Sequence, residues 1–370
     1  MRVAMITYHR ALNYGAVLQA YALQQTIKSL GNSDRDVCKL LDYKCPAIED
    51  MGVLVHWDKR IIKDLIKYIP YSKVMESKKK RFAAFVSNHL DVQKLDNNDL
   101  KSINDYFDVF ITGSDQLWNY SVCGDDDTYF LNFVEDERKK YSYAVSLGML
   151  KSFEQYEQRI KKNLHGFSCI SLRENICGEK LSTLGCAIRA DIDPTLLWDT
   201  EKWEEEFLLE NTEGEYILIY CVAPPRELIE IARKLATQTG LKVVFLTDLI
   251  AAKYKYHDFT IKYGQGPEDF LALIKNAQYV LTTSFHGAVF SIKFHKKFYA
   301  EIENLNGHND RISGLLEKLD LAECTDKNFL LAKKEVTPEK WEQVDQAINS
   351  LKSDSLNYLR TVLSSEDDNV

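Results

Sequence analysis

The sequence predicts an α/β protein of two doubly wound, Rossmann-like domains facing a cleft, and three observations carry that prediction. Strand-like runs alternate with longer amphipathic segments from one end of the chain to the other. The alternation breaks once, in the proline-, tryptophan- and acid-rich stretch ADIDPTLLWDTEKWEEEF (190–207), and then restarts. The third is length: 370 residues are too many for one ordinary core and few for three. The expected organisation is an N-terminal α/β domain over 1–195, a C-terminal α/β domain over 196–340, and a helical segment with an acidic tail over 341–370.

RVAMITY reads as the first strand, and GAVLQAYALQQTIKSLG as the helix after it. Val17, Leu18, Tyr21, Ala22, Leu23, Ile27 and Leu30 follow the helical period, and Gly31 suits the residue just past the end. DVCKLLDY, DVFITG, YSYAVSLG and CISLRE are short buried strands closed by turn or polar residues. After the break come EYILIYCV, the helix PRELIEIARKLATQTG, KVVFLTD, the helix PEDFLALIKNA and YVLTT. Pro267 with acids behind it suits a helix start. TPEKWEQVDQAINSLKSDSLNYLRTVL predicts one or two amphipathic helices before a frayed acidic tail.

Composition excludes several classes. A net charge of −8 is wrong for a nucleic-acid surface. The one dense basic run, Lys78-Lys79-Lys80-Arg81, reads as a solvated helix face, with contact to a phosphate-bearing membrane surface as the other reading. The N-terminus lacks the features of a signal peptide, and no stretch approaches the ~20 apolar residues of a membrane span. The eight cysteines contain no C-x-x-C pair and suit reduced thiols. The expected location is the cytoplasm, with peripheral attachment at the inner face of the membrane left open. No carboxylate–histidine spacing looks like a metal-ligand set.

In open α/β sheets the ligand lies off the carboxyl ends of the strands, so the residues that follow each strand are the candidates. Asn13-Tyr14-Gly15-Ala16 opens the first helix. Asn13 suits the cap and Gly15 lets a ligand approach the amides, although a capped helix with no ligand fits the same residues. DVFITGSDQLWN ends a buried run in Gly113-Ser114-Asp115-Gln116, with Trp118 and Asn119 beyond. Such groups can read sugar hydroxyls while an aromatic face stacks on the ring; a turn-making Asp and a core Trp are the plainer alternative. SCISLRE places Arg173 and Glu174 at another strand end, either as a structural pair or as an anion site.

VLTTSFHGAVFSI is the strongest signal. Ser284, His286 and Gly287 stand where a helix beginning near Ala288 turns its first N–H groups and positive dipole end outward. A phosphate or carboxylate there would meet backbone donors, a hydroxyl and an imidazole that titrates near neutrality. Ser284 lacks the G-x-S-x-G elbow of a hydrolase nucleophile. In His308-Asn309-Asp310-Arg311, Arg311 reaching the ligand and Asp310 capping a helix both remain open.

Taken together and in order, NYGAVLQAYAL, ITGSDQLWN, YSYAVSLG, SLRE, DIDPTLLW, PEDFLALIKNAQYVLTTSFHGAVFSIKF and RISGLLEKLDL resemble the polysaccharide pyruvyl transferases, over residues 1 to about 325. The resemblance implies a fold similar to the GT-B glycosyltransferases. It also implies transfer of pyruvate from phosphoenolpyruvate to two hydroxyls of a sugar, forming a cyclic ketal in cell-surface polysaccharide biosynthesis. Phosphoenolpyruvate is then a co-substrate and no cofactor is required. The partners are this small donor and a sugar or lipid-linked oligosaccharide, with no nucleic acid.

Arg173 and His286 match family positions associated with the donor, and Asp115 is the candidate for orienting or deprotonating the acceptor. Ser284, Phe285, Gly287, Asn13, Gly15 and Arg311 are expected at the donor; Ser114, Gln116, Trp118, Asn119 and Glu301 at the acceptor. Arg173 and His286 are expected to converge in one crevice. One departure matters: other branches resemble R-L-H where this chain has Ser284-Phe285-His286, which calls for another cation such as Arg311 or Lys293. A GT-B glycosyltransferase using a sugar nucleotide, and a non-catalytic carbohydrate-binding protein, are the rival readings.

Overall fold

The computed structural model describes residues 1–31, 37–51, 72–95, 100–148, 150–174, 178–222, 225–249, 251–302 and 310–364. The chain divides into two compact units. The first comprises Met1–Gly52, Val86–Trp198 and Ile348–Val370; the second comprises Val53–Phe85 and Asp199–Ala347. Cys177, His308, Asn309 and the tail from 365 onward lie outside the described residues.

The first unit holds strands β1 (Arg2–Ile6), β2 (Val37–Leu41), β3 (Val92–Gln93), β4 (Val109–Asp115), β5 (Lys140–Val145), β6 (Cys169–Leu172) and β7 (Ala187–Ala190). They form one parallel sheet in the order β3-β2-β1-β4-β5-β6-β7. Every residue of β4 is buried, as expected of a central strand covered on both faces. Helix α1 (Tyr14–Leu30) follows β1 and is buried from Tyr14 through Gln24. Asn13 caps it, accepting from the Ala16 N–H at 3.3 Å. At the other end Gly31 does not use the left-handed conformation expected of it. It is extended, at φ −60° and ψ 144°, and its N–H donates to Lys28 O, a tight last turn that needs no special backbone.

A buried glutamine fixes the centre of this sheet. Gln19 donates to Thr7 Oγ1 at 2.8 Å and accepts from Ser114 N at 2.9 Å, tying the ends of β1 and β4 together. Beside it Gly113 has φ +146°, and a Cβ there would lie 2.0 Å from the Tyr143 carbonyl oxygen on β5. Gly113→Ala should therefore destabilise the first unit by at least about 1–3 kcal/mol, because a backbone oxygen cannot swing aside as a side chain can. Urea unfolding measures this; wild-type stability would mean that β4 and β5 part freely at this point.

The second unit contains α2 (Ser72–His89) up to Phe85. Its strands are β8 (Tyr216–Tyr220), β9 (Lys242–Leu246), β10 (Thr260–Lys262), β11 (Tyr279–Thr282) and β12 (Lys297–Ala300), parallel and ordered β10-β9-β8-β11-β12. The helices are α3 (Leu228–Thr239), α4 (Pro267–Asn276), α5 (Phe285–Lys293), α6 (Asp310–Lys318) and the start of α7 (Pro338–Ser364). At the start of α4, Asp269 Oδ2 accepts from the Gly266 N–H at 2.7 Å, with Pro267 as the first helical residue. Helix α5 begins at Phe285, three residues earlier than expected, because Ser284 rather than a later residue takes the cap.

Both sheets reverse strand order once, between β1 and β4 and between β8 and β11. Those reversals are where a doubly wound sheet opens its ligand crevice. The basic run on α2 is only partly a solvated face. Lys79, Lys80 and Arg81 are exposed, but Lys78 is buried and paired with Asp248 at 2.5 Å. Arg81 reaches Asp269 at 2.5 Å. Among the described residues no helix is long and apolar enough to cross a membrane.

Candidate functional site

In the second unit the end of β11 is built by short-range hydrogen bonds. Thr282 Oγ1 donates to Tyr220 O at 2.8 Å and accepts from Ser284 N at 3.0 Å, which turns the chain out of the strand. Ser284 Oγ then accepts from Gly287 N at 3.3 Å and starts α5. Gly287 is required by the same turn, since a Cβ would meet Thr282 Oγ1 at 2.3 Å. Phe285 and His286 thus sit in the first turn, whose N–H groups have no acceptor inside the helix and whose dipole end is positive. His286 is buried, its ring edge-on to Phe285 at 5.2 Å. The Arg311 guanidinium lies over the Phe285 ring, 5.9 Å from its centroid. The Tyr220 phenol adjoins this turn: burial pushes its pKa up, opposed by a hydrogen bond with Ser284, so it stays neutral.

In the first unit a second cluster crosses the carboxyl ends of β4 to β7. Arg173 follows β6, and its Nη1 donates to Asp193 Oδ2 at 2.8 Å. Its Nη2 lies 3.6 Å from Asp115 Oδ1 and its Nε 3.5 Å from Glu174 Oε2. Burial opposes the guanidinium charge, and the carboxylates of Asp193, Glu174 and Asp115 outweigh it, so the pKa of Arg173 is raised. Asp115 itself has φ +83°, a left-handed backbone that an Asp tolerates better than most residues. Next to this cluster, at the end of β1, His9 Nε2 lies 3.3 Å from Asp42 Oδ1, and Arg10 donates to the same oxygen at 2.9 Å. The His9 hydrogen bond, with Arg10 and against burial, holds Asp42 at about 2.

Comparison with known proteins decides the lineage. A family model described as polysaccharide pyruvyl transferase matches residues 13–300. The chain belongs to the polysaccharide pyruvyl transferase family. No curated protein matches it. Among solved structures, the family member is similar to a UDP-GlcNAc 2-epimerase from Neisseria meningitidis bound to UDP-GlcNAc, with a TM-score of 0.53 at 9% identity over 99% of this chain and 100% of that one. It is also similar to the S. aureus MnaA–UDP co-structure, with a TM-score of 0.52 at 12% identity over 98% of this chain and 97% of that one. At such identities the likeness concerns the fold, and the fold is GT-B.

For this pyruvyl transferase family member, the second unit brings together Ser284, Phe285, His286, Gly287 and Arg311. Lys293 is buried at the far end of α5, whose nine residues span roughly 12 Å from Phe285. Glu301 is corrected as an acceptor contact. Its buried carboxylate accepts from the backbone N–H groups of Arg226 at 3.0 Å and Glu227 at 2.6 Å, closing the loop before α3.

The first unit gathers Asp115, Arg173 and half-buried Gln116, while three other expected acceptor contacts turn inward. Trp118 is fully buried, stacked on Phe130 at 5.4 Å and donating to Tyr129 O, so its face cannot meet a sugar. Ser114 is buried and its hydroxyl donates to Ala144 O. Asn119 caps the short helix Tyr120–Cys123 and donates to Gln116 Oε1 at 2.9 Å. Asn13 and buried Gly15 serve the start of α1. Sequence reasoning missed Tyr220, Asp193 and the His9–Asp42 pair. Tyr220 and His9 close apolar strands, a signal that could have found them; Asp193 sits among cap-forming residues and gave none.

Proposed function

We propose that this protein transfers pyruvate from phosphoenolpyruvate to two hydroxyls of a sugar acceptor, making a cyclic ketal on a cell-surface polysaccharide or its lipid-linked precursor. The supporting observation is the start of α5 in the second unit, where the buried His286 imidazole sits at the positive helix end and the Arg311 guanidinium lies over the neighbouring Phe285 ring. Phosphoenolpyruvate carries a phosphate and a carboxylate, and such a cradle suits a small doubly anionic donor. Its C2 becomes electrophilic only when C3 gains a proton, and His286 is placed in the reading as the group that clamps the donor or delivers that proton. Arg311 takes the part of the arginine that other branches carry two residues before the histidine. Asp115, in the first unit, orients or deprotonates the acceptor.

The test is a thermal-shift screen of the purified chain with phosphoenolpyruvate against a panel of nucleotide sugars. Stabilisation by mass action registers even weak binding at sufficient excess. The reading expects a shift with phosphoenolpyruvate, and phosphate release when a diol sugar is added. A shift only with nucleotide sugars would replace it with glycosyl transfer. Arg311→Ala should weaken phosphoenolpyruvate binding about 10- to 100-fold, the loss of one charge-assisted contact; calorimetric titration that finds wild-type affinity would remove Arg311 from the donor.

A further inference from the structure

We infer that Glu301 sets the donor specificity of the second unit: its carboxylate fills the amides that lead into α3 and so turns away a donor with a second phosphoryl group, such as a nucleoside diphosphate. The inference deepens the reading above and rests on its donor site at the start of α5.

The geometry lies wholly within the second unit. Strand β11 stands between β8 and β12, and the crevice of this sheet opens where the strand order reverses, at β8 and β11. Two helices start on that edge, α3 after β8 and α5 after β11. The turns leading to them are tied together. The Thr283 N–H donates to Tyr220 O at 3.3 Å, and the Val222 N–H donates to Thr283 Oγ1 at 3.1 Å. Glu301 comes from the other side, one residue past β12, where its N–H donates to Thr282 O at 2.9 Å. Its side chain passes over the end of β11 to the loop after β8. There both carboxylate oxygens accept backbone N–H groups, Oε2 from Arg226 at 3.0 Å and Oε1 from Glu227 at 2.6 Å. Glu301 is only 4% exposed.

Backbone N–H groups at a helix start are the fold's ordinary means of holding an anion, and this edge offers two such places. At α3 the anion is the chain's own. Its charge is felt next door: burial, and then the Glu301 carboxylate, push the pKa of the Cys221 thiol up. A single phosphoryl group at the start of α5 needs neither the Arg226 nor the Glu227 amide. A diphosphate carries a second phosphoryl group one bridging oxygen away, and on this edge that group meets a carboxylate where it would otherwise meet donors. Like charges brought together in this way are how a site rejects a relative of its own substrate. Phosphoenolpyruvate, with one phosphoryl group, passes the filter; a nucleotide sugar does not.

Inorganic pyrophosphate is the probe, with orthophosphate and phosphoenolpyruvate beside it in calorimetric titrations of the full chain. The wild type should bind pyrophosphate at most about threefold more tightly than orthophosphate, because the second phosphoryl group finds no donors. Tighter relative binding than that overturns the inference, and it needs no variant, so it decides the matter even where a substitution fails to fold. Glu301→Gln removes the charge and keeps an oxygen for one of the two amides. In that variant the affinity for pyrophosphate relative to orthophosphate should rise at least ~10-fold. A smaller rise, in a protein whose Tm shows it folded, reduces Glu301 to a fastener of the loop before α3 and overturns the inference, since a purely structural role leaves that ratio where it was. Failure of the underlying reading looks different: the wild type then binds no phosphoenolpyruvate, while the ratio of the two inorganic anions still reports on Glu301.

Discussion

His286→Ala is expected to lower turnover by roughly 10²–10⁴-fold while the protein remains folded, the range that a positioned general acid or base supplies. The imidazole is buried in the first turn of α5, beside the Phe285 ring and at the helix end that carries positive potential. Removing it leaves the Ser284 cap, the Thr282 hydrogen bonds and Gly287 in place, since none of those contacts uses the His286 side chain. The turn should therefore persist and Tm should move little. Phosphate release and donor affinity measured side by side separate the two roles open to the ring. A lowered kcat at constant donor KM marks proton delivery to C3, and a raised KM marks a clamp. A folded variant with unchanged turnover would take His286 out of the reaction.

Asp193→Ala should be the most damaging single change to stability in the first unit, at about 3–5 kcal/mol. The Asp193 side chain is fully buried and serves two masters: Oδ2 pairs with Arg173 at 2.8 Å, while Oδ1 accepts from the Thr195 N–H at 3.0 Å and hydroxyl at 2.6 Å. Alanine removes the cap of the short helix Pro194–Leu197 and strips the buried guanidinium of its nearest counter-charge. That loss is a large fraction of the ~5–15 kcal/mol by which a domain is stable. Asp193→Asn keeps the Oδ1 acceptor and should cost less. Urea unfolding compares the three proteins; near-equal midpoints would show that Asp115 and Glu174 hold Arg173 without Asp193.

Local pattern made the central strands legible. β1, β4, β8 and β11 are covered on both faces, so their apolar runs are continuous, and the helices that follow carry a clear period. The strands that escaped the reading are β3, β7, β10 and β12, and all four are sheet edges. Their burial is partial, with β7 exposed at both ends, so their sequences lack the signal that two-sided covering writes into a strand.

The candidate site divides in the same way. Ser284 capping α5 and Asn13 capping α1 were readable because a cap is a contact between residues three apart. Trp118 was not, because a tryptophan two residues beyond a polar strand end fits a sugar platform and a core equally well. Only Phe130, twelve positions on, claims its face. Glu301 was misread for the same cause: its partners, the amides of Arg226 and Glu227, lie about 75 residues away in sequence.

By itself, then, the chain's order of residues determined the two wound sheets, the family, and the turn at Ser284-Phe285-His286-Gly287, since each is written in contacts between near neighbours or in a repeating pattern. The tertiary structure alone decided that the Arg311 guanidinium lies over the Phe285 ring and that Arg173 is ringed by Asp193, Glu174 and Asp115. Charge compensation of a buried group depends on what distant strands bring to it, and a one-dimensional sequence carries no record of that distance.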